Sequence, residues 1–224
     1  MSVWAIVLAC GKEQEITSGV DVAFLGLGDR PVLTHSLQTL QQTESIDGII
    51  LVIKKQRVDT TLQMVRTYGF KKVKSLVAGS GTRLSNLKKA ADQLPDDATT
   101  VLVHAASRPF VEESVVAETV KAGKRYGAAV AACRSPNAVK LAEKGQKVSK
   151  SLDRSTIWIV QNPQAFKRDV FEKMLKSGVK LIDDESALLD KSRQEIHLVA
   201  SSSTNLKIRT AEDLEAAGAL LGMV

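Results

Sequence analysis

The chain has 224 residues, which is enough for one α/β domain with a well-buried core and too few for two large domains. Its hydrophobic fraction of 44% and charged fraction of 25% are typical of a globular protein and exclude an intrinsically disordered chain. The net charge is +6, but the basic residues are scattered and aromatic residues make up only 4%, which disfavours nucleic-acid binding. We therefore expect a single domain over residues 1–224 with a solvated basic surface and no nucleic-acid partner.

The cysteines and the apolar runs indicate the compartment. Cys10 and Cys133 each end an apolar stretch, a pattern typical of small buried hydrophobic residues in a reducing environment. The segment "VLAC" at 7–10 resembles a lipoprotein cleavage box, but no basic residue precedes it and the apolar run is short. No segment approaches the roughly 20 apolar residues of a membrane span. We expect a cytoplasmic protein without a membrane partner.

The first part of the chain alternates short apolar runs with amphipathic segments. The predicted strands are Val3–Leu8, Gly48–Ile53, Val73–Val77, Thr100–His104 and Ala128–Cys133. The predicted helices are Val32–Gln42, Asp59–Tyr68, Leu84–Leu94 and Glu112–Tyr126. Because the strands are continuously apolar and alternate with helices, the pattern predicts one parallel or mixed sheet that is covered on both faces.

The pattern changes after Ser135. The segment "VKLAEKGQKVSKSL" contains two short half-polar runs around Lys144 and Gly145, which predicts a hairpin. We expect this hairpin to project from the sheet as a β-arm over residues 136–156 and to contact a second subunit. The elements predicted beyond it are the strands Ile157–Val160, Ile196–Ala200 and Leu206–Ile208 and the helices Asp169–Leu175, Asp184–Asp190 and Ala211–Leu221.

Ligands of such sheets bind beyond the carboxyl ends of the strands. The loop after the first strand contains Lys12 together with Glu13 and Glu15, so it lacks the Gly-rich basic sequence of a phosphate-binding loop. The turn "AGSGTR" at 78–83 leads into a helix whose first backbone amides favour an anion or a polar base edge, although such turns are common.

Three cations follow later strand ends, namely Arg108, Arg154 and Lys207. Asn205 and Lys207 stand two residues apart on a short predicted strand, so their side chains are expected on the same side. If the three cations converge, they would suit a phosphorylated substrate, whereas each of them alone is more often a surface charge.

Together these segments resemble the methylerythritol phosphate cytidylyltransferase family, including its relatives that act on ribitol phosphate. The specific matches are "LVHAASRPFV", where the family reads His-Asp-Ala-Ala-Arg-Pro, "LDRSTIW" with "QNPQAF", "TNLKIRTAEDL", and "AGSGTR" for Gly-Gly-x-x-Arg. The resemblance covers essentially the whole chain. It implies a Rossmann-like domain with a mostly parallel mixed sheet, helices on both faces, and a protruding β-arm that clasps a second copy. It also implies a transferase of isoprenoid precursor synthesis, in which CTP and magnesium bind at the strand ends and a sugar-phosphate oxygen attacks the α-phosphorus.

Several family positions carry different residues in this chain. Aligned residue by residue, the catalytic Arg of the family falls on Glu15 and its catalytic Lys on Val22, while the magnesium-binding Asp falls on Ala105. Magnesium is therefore a cofactor of the family whose ligand is missing here. The resemblance gives as nucleotide-binding positions Ala9, Cys10, Gly11, Gly79, Arg83, Asn86 and Ala106, and as phosphate-binding positions Arg108, Arg154 and Lys207. Asn86 stands where the family has a base-contacting Ser and could still meet a pyrimidine edge, because an amide both donates and accepts.

The missing groups are the metal ligand and both catalytic cations. Because one lost transition-state donor costs roughly 3–4 kcal/mol, we expect nucleotidyl transfer to be slowed by ~10⁴-fold or more. The first hypothesis is therefore a family homodimer with impaired or no catalysis that holds a small phosphorylated molecule or a cytidine nucleotide. One alternative is an active cytidylyltransferase whose phosphate site is rebuilt from Lys12, Arg30 or a partner residue. The other is a non-catalytic regulatory subunit that pairs with an active relative.

Overall fold

A computed structural model describes residues 2–11, 16, 20–143, 145–178, 184–189 and 192–222. Its strands are β1 (Ser2–Leu8), β2 (Gly26–Leu27), β3 (Arg30–Pro31), β4 (Gly48–Lys54), β5 (Val73–Gly79), β6 (Ala98–Ala105), β7 (Ala128–Arg134), β8 (Val139–Leu141), β9 (Lys150–Leu152), β10 (Trp158–Lys167) and β11 (His197–Ala200). Its α-helices are α1 (Val32–Gln42), α2 (Val58–Thr67), α3 (Arg83–Ala91), α4 (Glu113–Tyr126), α5 (Arg168–Leu175) and α6 (Ala211–Leu221). Within these described ranges, no helix is both long and apolar enough to span a bilayer.

Seven strands form one sheet in the order β11-β7-β10-β6-β1-β4-β5. The pairs formed by β1 with β4 and β6, by β4 with β5, and by β11 with β7 are parallel. Only β10 runs antiparallel to its two neighbours within the described sheet, β6 and β7. The predicted mostly parallel mixed sheet is therefore confirmed.

Side chains of β1 point alternately to the two faces of the sheet, and each face is covered by helices. Val3, Ala5 and Val7 belong to a core that includes apolar residues of α1, α2 and α4. Ile6 and Leu8 belong to a second core, which includes residues of α3 and α5. The helices thus cover both faces, as predicted, and every side chain of β1 from Ala5 to Leu8 is buried.

The strand β10 is longer than the predicted segment Ile157–Val160, because it continues through Pro163 to Lys167. Proline has no N–H to donate to a ladder and usually argues against a central strand. The pairing of β10 with β7 accordingly shifts register between Val160 and Gln164, and its pairing with β6 begins only at Gln164. The interruption leaves the segment 161–163 free of the ladder at the carboxyl end of β6, where Gln161 and Asn162 lie buried.

Two predicted elements differ in the structure. The predicted strand Leu206–Ile208 is not a strand, because its backbone bonds to a loop instead of a neighbouring strand: Ile208 N donates to Ser107 O at 2.8 Å. The predicted helix Asp184–Asp190 is reduced to a single 3-10 turn at Ser186–Leu189, and Asp190 lies outside the described residues. Asp184 precedes that turn and accepts from Ala187 N at 3.2 Å, as a capping residue does.

Two small hairpins stand apart from the main sheet. β2 pairs with β3 across Gly28, whose φ of 65° belongs to the left-handed region that glycine tolerates, so the segment "GLGDR" is a tight turn before α1. β8 pairs with β9 in a separate two-stranded sheet that lies within the predicted arm 136–156. Lys144 of that arm lies outside the described residues.

Replacing glycine by alanine is expected to have opposite effects on stability in α4 and in α6, because only the glycine of α4 packs closely against β10. A Cβ added at Gly123 would lie 2.7 Å from Ala165 Cβ and 3.1 Å from Ala165 O, whereas one at Gly218 in α6 would meet nothing within 4 Å. We expect Gly123→Ala to lower the free energy of unfolding by about 1–3 kcal/mol through overpacking. Gly218→Ala should raise it by about 0.5–1 kcal/mol through helix propensity.

Urea unfolding of the wild type and the two variants measures both changes. Equal stabilisation by the two alanines would show that α4 does not pack against β10 as closely as the distances at Gly123 indicate.

Candidate functional site

The turn that follows β6 lies at the centre of the candidate site. Ala106 N donates to Leu8 O at 2.9 Å, which joins the turn to the end of β1, and Arg108 N donates to Ala105 O at 3.0 Å. Ser107 O accepts from Ile208 N at 2.8 Å, which joins the turn to the segment before α6. The backbone therefore brings together the end of β1, the end of β6 and a distant part of the chain.

His104 supports this turn from below. Its ring is fully buried, and Nε2 lies 3.3 Å from both Ser36 Oγ and Arg108 O. Burial, followed by the charge of Arg108, lowers the pKa of His104 to about 3, so the ring is neutral at physiological pH. Because a carbonyl only accepts hydrogen bonds, the neutral ring donates from Nε2. His104 thus holds the turn in place and cannot serve as an acid near neutral pH.

Arg108 extends from this turn into the interior. Its guanidinium is buried, and Nη1 donates to Asn205 O at 2.5 Å. Burial, and then the neighbouring charges of Arg209 and Arg83, lower the pKa of Arg108 to about 10, so it remains a cation at neutral pH. Among the described residues, Arg108 Nε has no hydrogen-bond partner. Arg108 is therefore a buried cation whose Nε can still donate a hydrogen bond to a ligand.

Arg108 faces a cavity of about 320 Å³ at the carboxyl end of β6. Among the described residues, four cationic and two acidic side chains line it, which gives this described lining a formal excess of two positive charges. The lining residues are Arg83, Arg108, Val160, Gln161, Asn162, Gln164, Asp184, Glu185, Lys207 and Arg209. An electropositive cavity of this volume fits a small phosphorylated molecule.

One acid of the cavity, Glu185, is fully buried. Its Oε1 accepts from Arg83 Nε at 2.5 Å, which forms a buried ion pair. Its Oε2 is buried as well and, within the described part of the chain, has no hydrogen-bond partner. The other acid, Asp184, is engaged by its own turn, because its Oδ1 accepts from Ala187 N at 3.2 Å.

The structure brings together some of the cations predicted from the sequence and separates another. Arg108 and Lys207 line the same cavity, and Arg83, which the resemblance gave as a nucleotide-binding residue, lines it with them. Arg154 of the same chain is not among the described lining residues. It lies exposed within the arm, where its Nη1 donates to Pro136 O at 3.1 Å, so a single chain places it apart from Arg108 and Lys207.

Arg209 and Glu185 are among the lining residues that were not predicted. Arg209 stands two residues after Lys207, so the alternation that placed Asn205 and Lys207 on one side could have been extended to it. Glu185 gave no such signal, because an acid in the run "DDES" is normally expected on a solvated surface.

The predicted nucleotide-binding residues at the ends of β1 and β5 pack against one another. Asn86 is buried, its Nδ2 donates to Cys10 Sγ at 3.3 Å, and its Oδ1 accepts from Ser80 N at 2.9 Å. A Cβ at Gly79 would lie 2.3 Å from Cys10 Sγ, so this position requires glycine. Each polar atom of the Asn86 side chain therefore has a protein partner.

The backbone of this region is tied to the sheet as well. Ala9 N donates to Val52 O at 2.8 Å, and Ala9 and Ala106 are fully buried. Gly11 is half-buried with a φ of 114°. These three small residues leave the strand ends accessible only to a ligand that approaches the backbone closely.

The loop after β1 is described only in part. Glu15 lies outside the described residues, as do Lys12 and Glu13. Val22, which the resemblance aligned with the family's catalytic Lys, is fully buried in an apolar cluster with Leu27, Val32, Ile208 and Ala217. It presents no charge to the strand ends.

The residue beside Val22, Asp21, is also buried and is held by two cations. Its Oδ1 lies 2.6 Å from Lys54 Nζ, and its Oδ2 accepts from Arg57 Nε at 3.3 Å. Both cations are thus partly neutralised by an internal acid at the end of the loop.

Ala105 stands where the resemblance places the family's magnesium ligand. Its methyl group is fully buried and has no donor atom, whereas Mg²⁺ is bound through carboxylate oxygens. No group of three or more His, Cys, Asp or Glu side chains that could hold a metal ion exists among the described residues. The residues described at this position do not fit a magnesium ion.

Comparisons with known proteins agree with this architecture. A family model described as "IspD: 2-C-methyl-D-erythritol 4-phosphate cytidylyltransferase" matches residues 3–223. The 2-C-methyl-D-erythritol 4-phosphate cytidylyltransferase of Clostridium acetobutylicum is 30% identical over an alignment of 222 residues. This alignment covers 97% of this chain and 96% of the relative. A bifunctional enzyme IspD/IspF of Desulforudis audaxviator is 34% identical over 97% of this chain and 56% of its own length. The crystal structure of 4-diphosphocytidyl-2C-methyl-D-erythritol synthase from Anaerococcus prevotii superposes with a TM-score of 0.88 at 28% identity, covering 99% of this chain and 96% of that one.

The buried His104 predicts a pH dependence of stability. Its pKa of about 3 in the folded state lies below the ordinary value of 6.5, so the unfolded chain binds a proton between these values and the folded chain does not. Stability from this residue is therefore complete above pH 6.5 and declines by about 1.4 kcal/mol for each pH unit below it. We expect His104→Asn to destabilise the protein at pH 7 and to do so by about 2 kcal/mol less at pH 5.

Urea unfolding at the two pH values measures this difference. His197→Asn, which changes an exposed histidine on β11, is the matched control and should show no comparable change. A destabilisation by His104→Asn that is equal at pH 7 and pH 5 would contradict the burial of a neutral ring.

Proposed function

Because this chain belongs to the 2-C-methyl-D-erythritol 4-phosphate cytidylyltransferase family, we propose that it keeps a sugar-phosphate site of that family and has lost, or nearly lost, cytidylyl transfer. The family reaction joins CTP and methylerythritol phosphate and releases pyrophosphate. The site then has two parts. One is a cation-lined cavity at the end of β6, and the other is the end of β1, where nearby cations are neutralised by an internal acid.

The observation that carries the proposal is the environment of Val22. The resemblance aligned the family's catalytic lysine with this position, and charge that develops on phosphate oxygens is stabilised by fixed cations in the transition state. Val22 is instead enclosed by apolar side chains, and neighbouring Asp21 takes up Lys54 and Arg57 in ion pairs. The described residues at this strand end therefore offer little positive charge to a polyphosphate.

The cavity beside Arg108 supports the retained half of the proposal. Its lining has an excess of two positive charges, contributed in part by Lys207 and Arg209. A phosphate monoester has a charge of about −1.5 to −2 near pH 7, which matches this excess. The buried amides of Gln161 and Asn162 add polar groups for the remainder of such a ligand.

The arm supports pairing of two copies. Leu141 of β8 is 42% exposed and Val148, between β8 and β9, is 52% exposed, so the arm presents two large apolar side chains at its surface. A second copy that covers these side chains would also bring its own Arg154 toward this chain. The proposed assembly is therefore a homodimer joined through the arm.

A pyrophosphate-release assay with CTP, magnesium and methylerythritol phosphate tests the loss of transfer. We expect turnover ~10⁴-fold below the range of about 1–1000 per second that is ordinary for enzymes, because both family cations are missing. The Clostridium acetobutylicum relative serves as the positive control. Turnover within the ordinary range would instead support a phosphate site rebuilt from residues such as Lys12 or Arg30.

Calorimetric titration with methylerythritol phosphate tests the retained site. We expect Lys207→Ala to weaken binding at least tenfold, since one charge-assisted hydrogen bond contributes about 1.5–3 kcal/mol. Lys121→Ala, which removes an exposed lysine of α4, should leave the affinity unchanged. Equal affinities in the two variants would contradict the assignment of this cavity as the sugar-phosphate site.

Light scattering coupled to size exclusion tests the dimer. The wild type should elute with twice the mass of the chain, and Leu141→Lys combined with Val148→Lys should give a monomer, because charged side chains would be buried in the contact. Leu62→Lys, at a 38% exposed leucine of α2, is the control. A monomeric wild type would refute the assembly, and capture of a mixed dimer with an active family member would support the regulatory alternative.

A further inference from the structure

Glu185 is an unusual residue to find in a cavity that binds an anion. Its side chain is fully buried, and three further cations besides its partner Arg83 line the same cavity. A carboxylate here opposes the entry of phosphate, so its presence requires a reason other than charge attraction to the ligand. The ion pair with Arg83 accounts for only one of its two oxygens.

The second oxygen, Oε2, is a buried acceptor without a donor among the described residues. Buried polar atoms in native proteins are normally hydrogen-bonded, and an exception inside a cavity indicates a ligand that completes the bond. A small molecule can donate a hydrogen bond to such an acceptor from a hydroxyl or an amine group. An amine is disfavoured, because it would enter a cavity with an excess of two positive charges.

A second unsatisfied atom lies in the same lining. Arg108 Nε is a buried donor for which the described residues provide no acceptor, and the guanidinium is fixed by its bond to Asn205 O. The cavity therefore contains a fixed cationic donor that requires an anion and a fixed carboxylate acceptor that requires a hydroxyl. One molecule that carries both groups, a phosphorylated polyol, satisfies both atoms at once.

We propose that Glu185 is a specificity-determining residue that accepts a hydrogen bond from a hydroxyl of the bound polyol phosphate and disfavours phosphates without such a hydroxyl. This inference rests on the proposed function, since it assigns a role within the same cavity. Arg83 holds the Glu185 carboxylate in place, while Arg108 receives the phosphate. A phosphate without a hydroxyl meets the negative charge of Glu185 and gains no bond from it, so it binds weakly.

Two ligands of equal charge separate this role from general electrostatics. 2-C-methyl-D-erythritol 4-phosphate carries hydroxyls, and methyl phosphate carries none. Calorimetry with the full chain should show that the wild type prefers the polyol phosphate. Glu185→Gln keeps an oxygen for Arg83 and removes the charge, so it should bind methyl phosphate several-fold more tightly.

The ratio of the two affinities isolates the hydroxyl bond, because the loss of repulsion affects both ligands alike. We expect this ratio to fall several-fold in Glu185→Gln, because a hydrogen bond to a charged carboxylate is replaced by one with a neutral amide. Glu118→Gln, which removes an exposed acid of α4, should leave both affinities unchanged. Should Glu185→Gln not fold, Glu185→Asp retains the charge, withdraws the acceptor by one methylene group, and should lower the ratio in the same direction.

The possible results distinguish this inference from the proposed function. An affinity ratio that is unchanged in Glu185→Gln or Glu185→Asp would overturn the role of Glu185 alone. Absence of binding of either ligand to the wild type would overturn it together with the retained sugar-phosphate site. Ordinary turnover of CTP would overturn the loss of catalysis and leave the affinity ratio as an independent test of Glu185.

Discussion

The buried turn after β6 is the constraint on which the rest of the site depends. Its backbone carbonyls point into the protein, where each must find a donor to avoid a desolvation penalty. Arg108 O receives Ser36 Oγ of α1 at 3.0 Å, and Ser107 O receives Ile208 N at 2.8 Å. Because these donors come from opposite ends of the chain, satisfying the turn also fixes α1 and the segment before α6. The placement of Arg108 and Lys207 around one cavity follows from that requirement.

The two strand ends at the centre of the sheet differ in how their charges are balanced. At β1, the acid Asp21 is buried and two cations, Lys54 and Arg57, approach it, so positive charge is consumed within the protein. At β6, the described lining has more cations than acids, and burial together with repulsion from Arg209 and Arg83 lowers the pKa of Arg108. The charges of the described residues therefore favour an anion on the β6 side.

The sequence predicted the elements in which apolar residues recur at a regular helix or strand spacing. It failed where a single residue or a contact with a distant part of the chain determines the local structure. The limits of Val32–Gln42 and Ala211–Leu221 were predicted as the structure has them, since local pattern and packing agree there. Pro163 concealed the continuation of β10, because a proline in a central strand is expected only at an interruption. Leu206–Ile208 had the alternation of a strand, but its backbone partner is a loop, which no local pattern reveals. The site was predicted to the same extent: its cations follow recognisable segments, whereas the burial of Glu185 depends on Arg83, about a hundred positions away in the chain.

The apolar cluster around Val22 connects the strand end at β1 with the segment that carries Lys207. Val22 packs in the same cluster as Ile208, which lies beside Lys207, and the cluster also includes Ala217 of α6. Full burial of a valine side chain contributes about 1.5–3 kcal/mol, whereas a lysine ammonium in the same surroundings would have to be desolvated without a partner. Val22 therefore stabilises the segment that places Lys207 at the cavity, while its own side chain contributes no cation at the β1 end. The proposed loss of the catalytic charge and the proposed retention of the phosphate site are, in this fold, both compatible with one buried side chain.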